Sequence, residues 1–355
     1  MKHCISEKQV IAFLREAEAG LPAWNLCRKL GFNDDNGRSC AVGSARLDGK
    51  RVSRSSGYSQ GGKCMTSRFS AFMFSMLLLS AGCRAASWPC HDSVREGEQA
   101  RSTALQALAC QAHSHRLVLL GELHGTVESP ALLADLLRAQ PAARPIRLGL
   151  EWPVGLQSKV DSYFHSSGTS ADRAAFAVGR DWSSTYDGRM SRAWLMLIDT
   201  VRDLRRQGRD VQVFTMEPNY GSPAQVAAAG GFVRVKEAGM ARAIDAQLKL
   251  APPDALVAAL VGNYHVRTAP NWPDPTSSLA YRLSADHPLL VLPQSEHGTF
   301  WAIVPPHHRA SVQTLHGKAA PLPANDVVVQ TVPGAPDGVV AYGLLLPTFT
   351  ASPHP

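Results

Sequence analysis

Four apolar runs, each the length of a β-strand and each followed at once by a polar cluster, constrain this chain more than any other feature. Residues 117–120 precede Gly121-Glu122-Leu123-His124-Gly125-Thr126, and residues 146–150 precede Glu151-Trp152-Pro153. Residues 211–214 precede Thr215-Met216-Glu217-Pro218, and residues 256–261 precede Gly262-Asn263-Tyr264-His265. Short continuous apolar runs suit strands buried on both faces. The stretches between them carry helical spacing. Residues 129–140 read as a helix with Ser129 as N-cap and Pro130 in its first position. Residues 189–207 put Trp194, Leu195, Ile198, Val201 and Leu204 on one face, and residues 234–250 do the same with Met240, Ile244 and Leu248. Residues 289–292 read as a further buried strand, and 300–304 and 339–346 as late strands for which antiparallel pairing is open. Strand–helix alternation predicts an α/β fold, a mostly parallel sheet with helices on both faces.

Length and charge narrow the function classes. The chain has 355 residues, 45% of them hydrophobic, enough for a sizeable core. Its formal charge of +7 is uneven: residues 1–64 hold 11 Lys and Arg against 6 Asp and Glu, and the rest hold 25 against 23. The main domain is therefore nearly neutral, which gives no case for a nucleic-acid partner. The seven cysteines end at Cys110 and show no CxxC or zinc-type spacing; Cys90 and Cys110 are candidates for a disulfide in an oxidising compartment.

Residues 65–83 have the order of an export signal: Arg68, an apolar run over 69–79, then Ser80-Ala81-Gly82-Cys83. The run is shorter than the ~20 residues a membrane-spanning helix needs. The end resembles a bacterial lipobox, with Cys83 as the residue to be lipidated and Ser80 in place of the usual Leu; ordinary cleavage after Gly82 is the alternative. Such a signal opens a chain, so Met65 is the expected start, with the cell envelope (periplasm or outer-membrane lipoprotein) as destination. Residues 5–34 resemble the N-terminus of the small (OrfA) subunit of insertion-sequence transposases, two short helices joined at a glycine. The helix that would enter the major groove does not follow, so sequence-specific DNA binding is not expected. The organisation expected is thus 1–64 as a truncated transposase-like remnant, 65–83 as signal, 84–110 as linker and first helix, 111–310 as the α/β domain, and 311–355 as C-terminal strands with a Pro-rich tail.

Ligands of open α/β sheets sit beyond the carboxyl ends of the strands. Those ends supply Glu122, His124, Glu151, Glu217 and His265 here. Glu122 and His124, two apart in a glycine-flanked turn, suit proton transfer or metal binding, or else a helix cap beside a turn histidine. Glu151 after a buried strand is costly unless paired or solvated. Glu217 is a weaker candidate because Pro218-Asn219 can simply turn the chain. Arg189 at a helix start is badly placed for the helix dipole, so a specific partner, a substrate oxyanion or one of the glutamates, is expected. Asp187 is a candidate cap for that helix. No Gly-x-Ser-x-Gly elbow and no phosphate-cradling glycine loop occurs.

With these residues together, positions 115–288 resemble the superfamily of ChaN-like haem-binding uptake proteins, erythromycin esterase-like hydrolases, and TraB and Tiki proteins. The resemblance rests on Gly121-Glu122-Leu123-His124-Gly125, Glu151, Met240-Ala241 and Gly262-Asn263-Tyr264-His265. It implies two activities, and a third reading stands apart from it. The leading one is an exported hydrolase, an esterase or a metal-dependent peptidase, acting on a small-molecule or peptide substrate. His124 would be general base or metal ligand, Glu122 and Glu151 would orient it or share the ligation, His265 would be second ligand or acid, and Arg189 would stabilise the oxyanion. A Zn²⁺ or Mn²⁺ ion would suit that donor set. The second is a haem- or iron-binding lipoprotein with Tyr264, Tyr186 or His265 as axial ligand. The third, a transposase-derived DNA binder, rests on residues 5–34 alone.

Overall fold

The computed structural model describes residues 98–179, 182, 188–267, 278–302, 311–323, 326–332, 335, 336, 338–353 and 355. The transposase-like and export segments, with Cys83 and Cys90, lie outside these residues, as do Tyr186 and Asp187. Cys110 is disulfide-bonded, and the other six cysteines all fall outside the described residues.

Nine strands are described: β1 Leu117–Glu122, β2 Ile146–Pro153, β3 Val211–Glu217, β4 Leu256–Gly262, β5 Leu289–Gln294, β6 Gly298–Ala302, β7 Ser311–Leu315, β8 Val328–Thr331 and β9 Val340–Leu345. Seven of them form one sheet in the order β3-β2-β4-β1-β5-β9-β8. Every pairing in it is parallel except β8 with β9. The run at 339–346 is therefore an interior strand, parallel to β5 and antiparallel to β8. Of the run at 300–304, residues 300–302 lie instead in β6, which pairs with β7, antiparallel, in a second small sheet.

The helices are α1 Glu98–Ser114, α2 Glu128–Ala139, α3 Gln157–His165, α4 Ser170–Phe176, α5 Arg192–Arg206, α6 Pro223–Ala228, α7 Phe232–Leu250, α8 Asn263–Val266 and α9 Leu279–Arg282. Their apolar faces cover both sides of the sheet, which is why the strands are apolar throughout. Val118 and Leu120 join a core with Leu133 and Leu137 of α2 and Trp194, Ile198 and Val201 of α5. Leu117 and Leu119, one residue out of phase, join a second core with Met240, Ile244 and Leu248 of α7. Helix α2 starts at Glu128 after Val127, which makes no side-chain cap; Ser129 lies inside the helix with its hydroxyl buried and unpartnered, and Pro130 is the third helical residue. The N-cap expected at Ser129 is thus not the one formed.

The open edge of β3 is blunted by a side chain. Gln157 donates to the Val213 carbonyl (3.0 Å) and accepts from the Thr215 N–H (2.7 Å), the two bonds a further strand would make. A groove of about 840 Å³ runs along this edge, lined by Val211 to Thr215 of β3 with Gln157 and Asp161 of α3.

Candidate functional site

The carboxyl ends of β1, β2, β3 and β4 converge. Register puts Glu122 opposite Gly262 and Leu150 opposite Leu260, so the first residues past each strand meet. Period-two alternation then separates the two central carboxylates. Glu122 follows Val118 and Leu120 toward α5, where the Trp194 indole N–H donates to both of its oxygens at 2.9 Å. Glu151, one residue past Leu150, turns to the opposite face and meets α7 and α8. Both glutamates are buried.

His124 bridges the two. Its Nδ1 lies 2.8 Å from Glu122 Oε2, and its Nε2 lies 3.8 Å from Glu151 Oε2, beyond direct hydrogen-bonding reach. The ring is 19% exposed, so solvent reaches it while its carboxylate partner is sealed. The ring packs over β4: a Cβ on Gly262 would stand 2.8 Å from Nε2, a closer approach than any other residue type allows there.

Glu151 is the hub. Its Oε2 accepts the Gly262 N–H at 2.6 Å. Its Oε1 is 2.6 Å from Lys236 Nζ, 3.2 Å from His265 Nε2 and 3.3 Å from Arg189 Nη1. The second nitrogen of His265, Nδ1, is held at 2.5 Å by Glu237, which is fully buried. Arg189 also pairs with Glu217, whose other oxygen accepts the Tyr220 hydroxyl at 2.6 Å; Lys236 Nζ is 3.7 Å from Glu217. Arg189 reaches these partners from the bend before α5, so the partners expected for it at an unfavourable helix start are two glutamates.

The electrostatic environments of the carboxylates diverge. Burial pushes Glu122 above the ordinary glutamate value, and the contacts with His124 and Trp194 offset this only in part. Burial also acts to raise Glu151, but the charges of His265 and Lys236 outweigh it and hold the group well below its ordinary value. For His265, burial alone would favour the neutral ring; the charge of Glu151 and the bonds to Glu151 and Glu237 raise it to about 9. Two carboxylates driven apart in this way are suited to different protonic roles.

The structure brings together Glu122, His124, Glu151, Arg189 and His265, and Glu217 with them. It adds Lys236, Glu237, Trp194 and Tyr220. Glu237 left a trace in the sequence: with Met240, Ile244 and Leu248 it continues the 3-4-4 spacing of the apolar face of α7, so a carboxylate was due to be buried. Tyr264 stays on the surface, 59% exposed, with the Arg267 guanidinium 5.2 Å from its ring centre.

The donors do not fit a transition metal. The Glu151 oxygen nearest the histidines already faces an ammonium, a guanidinium and an imidazole, where a divalent cation would meet like charge. Among the described residues no group of three or more His, Cys, Asp or Glu side chains is arranged to hold a metal ion. His265 does not fit an axial haem ligand either, since both ring nitrogens are on carboxylates.

The fold and site define a class: a parallel α/β protein with a buried His–carboxylate cluster at its strand ends. Comparison with known proteins adds likenesses and no family. No protein-family model matches the chain. The curated relative found is an uncharacterised 10.0 kDa protein of insertion element IS407 from Burkholderia multivorans, 59% identical over 34 residues at the N-terminus; the match covers 10% of this chain and 39% of that protein. Among solved structures the chain is similar to a mutant of the erythromycin esterase EreC in its open conformation, with 11% identity, 69% of this chain and 93% of that one covered, and a TM-score of 0.48. It is also similar to a Bacillus cereus protein, with 11% identity, 73% and 95% covered, and a TM-score of 0.46.

Proposed function

We propose that the chain is a hydrolase in which His124 activates water against an ester or amide of a small-molecule or peptide substrate. The observation that carries this reading is the Glu122–His124 contact of 2.8 Å, which fixes the imidazole by Nδ1 and turns Nε2 toward Glu151 and the cationic groups around it. A base held by a buried carboxylate and reached by solvent has the parts that general-base catalysis needs.

In the proposed reaction Nε2 of His124 takes a proton from water as the water oxygen attacks the acyl carbon. The charge that develops on the carbonyl oxygen is met by Arg189, with Lys236 adding positive potential. Collapse breaks the bond to the leaving group, which takes the proton that His124 accepted. Glu151 holds the cationic groups in register, and Glu217 with Tyr220 holds Arg189. No step uses a metal. Supply to the cell envelope through residues 65–83 belongs to the same proposal, and mass spectrometry of the mature N-terminus tests it: a peptide beginning before Met65 would overturn it.

The test of the chemistry is His124→Ala against a panel of p-nitrophenyl esters and chromogenic peptides. Loss of a general base lowers turnover by about 10²–10⁴-fold. Turnover equal to that of the parent, or a parent that cleaves nothing in the panel, would count against the assignment.

A further inference from the structure

Residues 349–353, which the sequence presents as part of a Pro-rich tail, run across the back of the site. The Val127 N–H donates to the Thr350 carbonyl at 2.9 Å, and the Ser352 N–H donates to the Gly125 carbonyl at 2.8 Å. Gly125 directly follows His124, and Val127 is three residues past it. On the other side of the same segment, the Arg192 N–H donates to the Pro353 carbonyl at 2.9 Å, and the Ala193 N–H donates to the Ser352 hydroxyl at 2.8 Å. These two amides open helix α5, three and four residues after Arg189. Ser191, the N-cap of α5, makes no side-chain cap bond of its own, so Ser352 supplies the cap from a distant part of the chain.

The segment is anchored in turn by the small sheet. Phe349 exchanges backbone bonds with His297 and Thr299 at 2.9 and 2.8 Å, and the Ala351 N–H donates to the Thr299 hydroxyl at 3.0 Å. The Gly125 carbonyl accepts a second bond, from the Trp301 N–H at 3.0 Å. Gly125 has a φ of +79°, and a Cβ there would come within 2.0 Å of the Trp301 carbonyl oxygen; a Cβ on Gly188 would come within 2.5 Å of the Gly125 α-carbon. Ser352 is 3% exposed, so it sits inside this junction.

We propose that Ser352 is a positioning residue: through its N–H it fixes the turn that carries His124, and through its hydroxyl it fixes the helix start beside Arg189, so the spacing between base and guanidinium depends on it. For its effect on turnover the inference rests on the hydrolase reading; the tie itself does not. The two groups come from segments 65 residues apart in the chain. A misplacement of about 1 Å in a reacting group can cost about 10²-fold in rate.

The experiment compares Ser352→Ala and Ser352→Pro with a control, Thr169→Ala. The control removes the capping box of α4, so it lowers stability without touching the junction. Amide hydrogen exchange is followed in peptides covering 121–127 and 188–195, beside kcat and KM on whichever panel ester the parent cleaves. The expected result is exchange at least about tenfold faster across 188–195 in both Ser352 variants, and across 121–127 in Ser352→Pro, which alone removes the N–H, with neither change in the control; kcat falls about 10–100-fold in both variants and KM stays within about twofold. Exchange across 121–127 unchanged in Ser352→Pro overturns the proposal, and so does a kcat of the Ser352 variants no lower than that of the control. If Ser352→Pro does not fold, Ser352→Ala decides by exchange across 188–195 and by kcat: both unchanged relative to the control overturns the proposal. Faster exchange across 121–127 in a protein whose parent cleaves nothing supports the tie and removes the hydrolase reading.

Discussion

Replacing Glu151 by Gln isolates the hub of the site. The side chain is 1% exposed and faces Lys236 at 2.6 Å, His265 at 3.2 Å and Arg189 at 3.3 Å. Glutamine keeps the shape and can still accept the Gly262 N–H, but it removes the negative charge and aims an amide donor at three donors. Stripping one partner from a buried ion pair costs about 3–5 kcal/mol, because the remaining charges are left uncompensated. For a domain of this size each kcal/mol moves Tm by about 2–4 °C, so the loss near neutral pH is roughly 6–20 °C. The pH dependence sharpens the test. His265 is raised from 6.5 to about 9 in the folded protein, burial being outweighed by Glu151 and Glu237. A raised histidine contributes stability that is fully present below its unfolded value and is lost as pH rises through the folded one. Here that amounts to about 3 kcal/mol, lost on the way to pH 9. Glu151 acts with the opposite sign: its depressed value stabilises above the unfolded glutamate value, and that contribution is lost as pH falls through the folded one. Thermal unfolding followed by circular dichroism from about pH 5 to 9.5, at fixed ionic strength, reads both effects. The parent loses Tm on the alkaline side, and Glu151→Gln starts lower and loses less there, since His265 is no longer held charged by its neighbour. A variant within about 2 °C of the parent at pH 7, with the same alkaline slope, would refute the reasoning.

Two further outcomes follow from the same geometry. Gly262→Ala places a methyl 2.8 Å from His124 Nε2, so the imidazole must tilt off Glu122; kcat is expected to fall about tenfold or more at a Tm within a few degrees of the parent, and parental kcat would show that the ring has room to spare. Because the Glu151 oxygens are taken up by cationic side chains and a backbone amide, dialysis against a strong chelator is expected to leave both hydrolysis and Tm unchanged. Activity lost to the chelator and restored by one added metal would show that the network rearranges around an ion.

What the sequence makes legible is set by which side of the peptide pattern a residue falls on. The strands could be read because continuous apolar runs of this length have few alternatives, and the groups at their ends, Glu122, His124, Glu151 and His265, could be read because a charged side chain directly after such a run must be paired, solvated or used. Glu217 lies at the same place in its strand, but the Pro218-Asn219 turn offered a simpler account, and only its contacts with Arg189, Lys236 and Tyr220 make it part of the site. Trp194 was legible as core and illegible as a hydrogen-bond donor: its ring lies on the apolar face of α5, and nothing local says that its one N–H finds Glu122. The late strands were legible as strands, and their sheet membership was not. Residues 298–302 and 340–345 have similar β character, and which of them joins the main sheet depends on contacts with β5 that no local pattern encodes.

Ser352 marks the far end of this scale. A serine between alanine and proline near the end of a chain carries no periodicity, no charge and no cap motif, and its two partners, Gly125 and Ala193, lie 227 and 159 positions away. Yet those partners do not behave as isolated contacts. The Gly125 carbonyl is shared between Ser352 and Trp301, and the Ala193 amide is one of the orphan donors that every helix start must satisfy. Each has a local demand that local sequence leaves unmet: α5 opens with a serine N-cap that does not cap, and Gly125 takes a left-handed turn against the Trp301 backbone. A helix start without its own cap and a glycine turn without its own stop are thus the signs to look for in a chain of this kind. Both announce that some distant segment must supply the missing bonds, and in this fold the same residue supplies them to the two loops whose spacing the proposed chemistry needs.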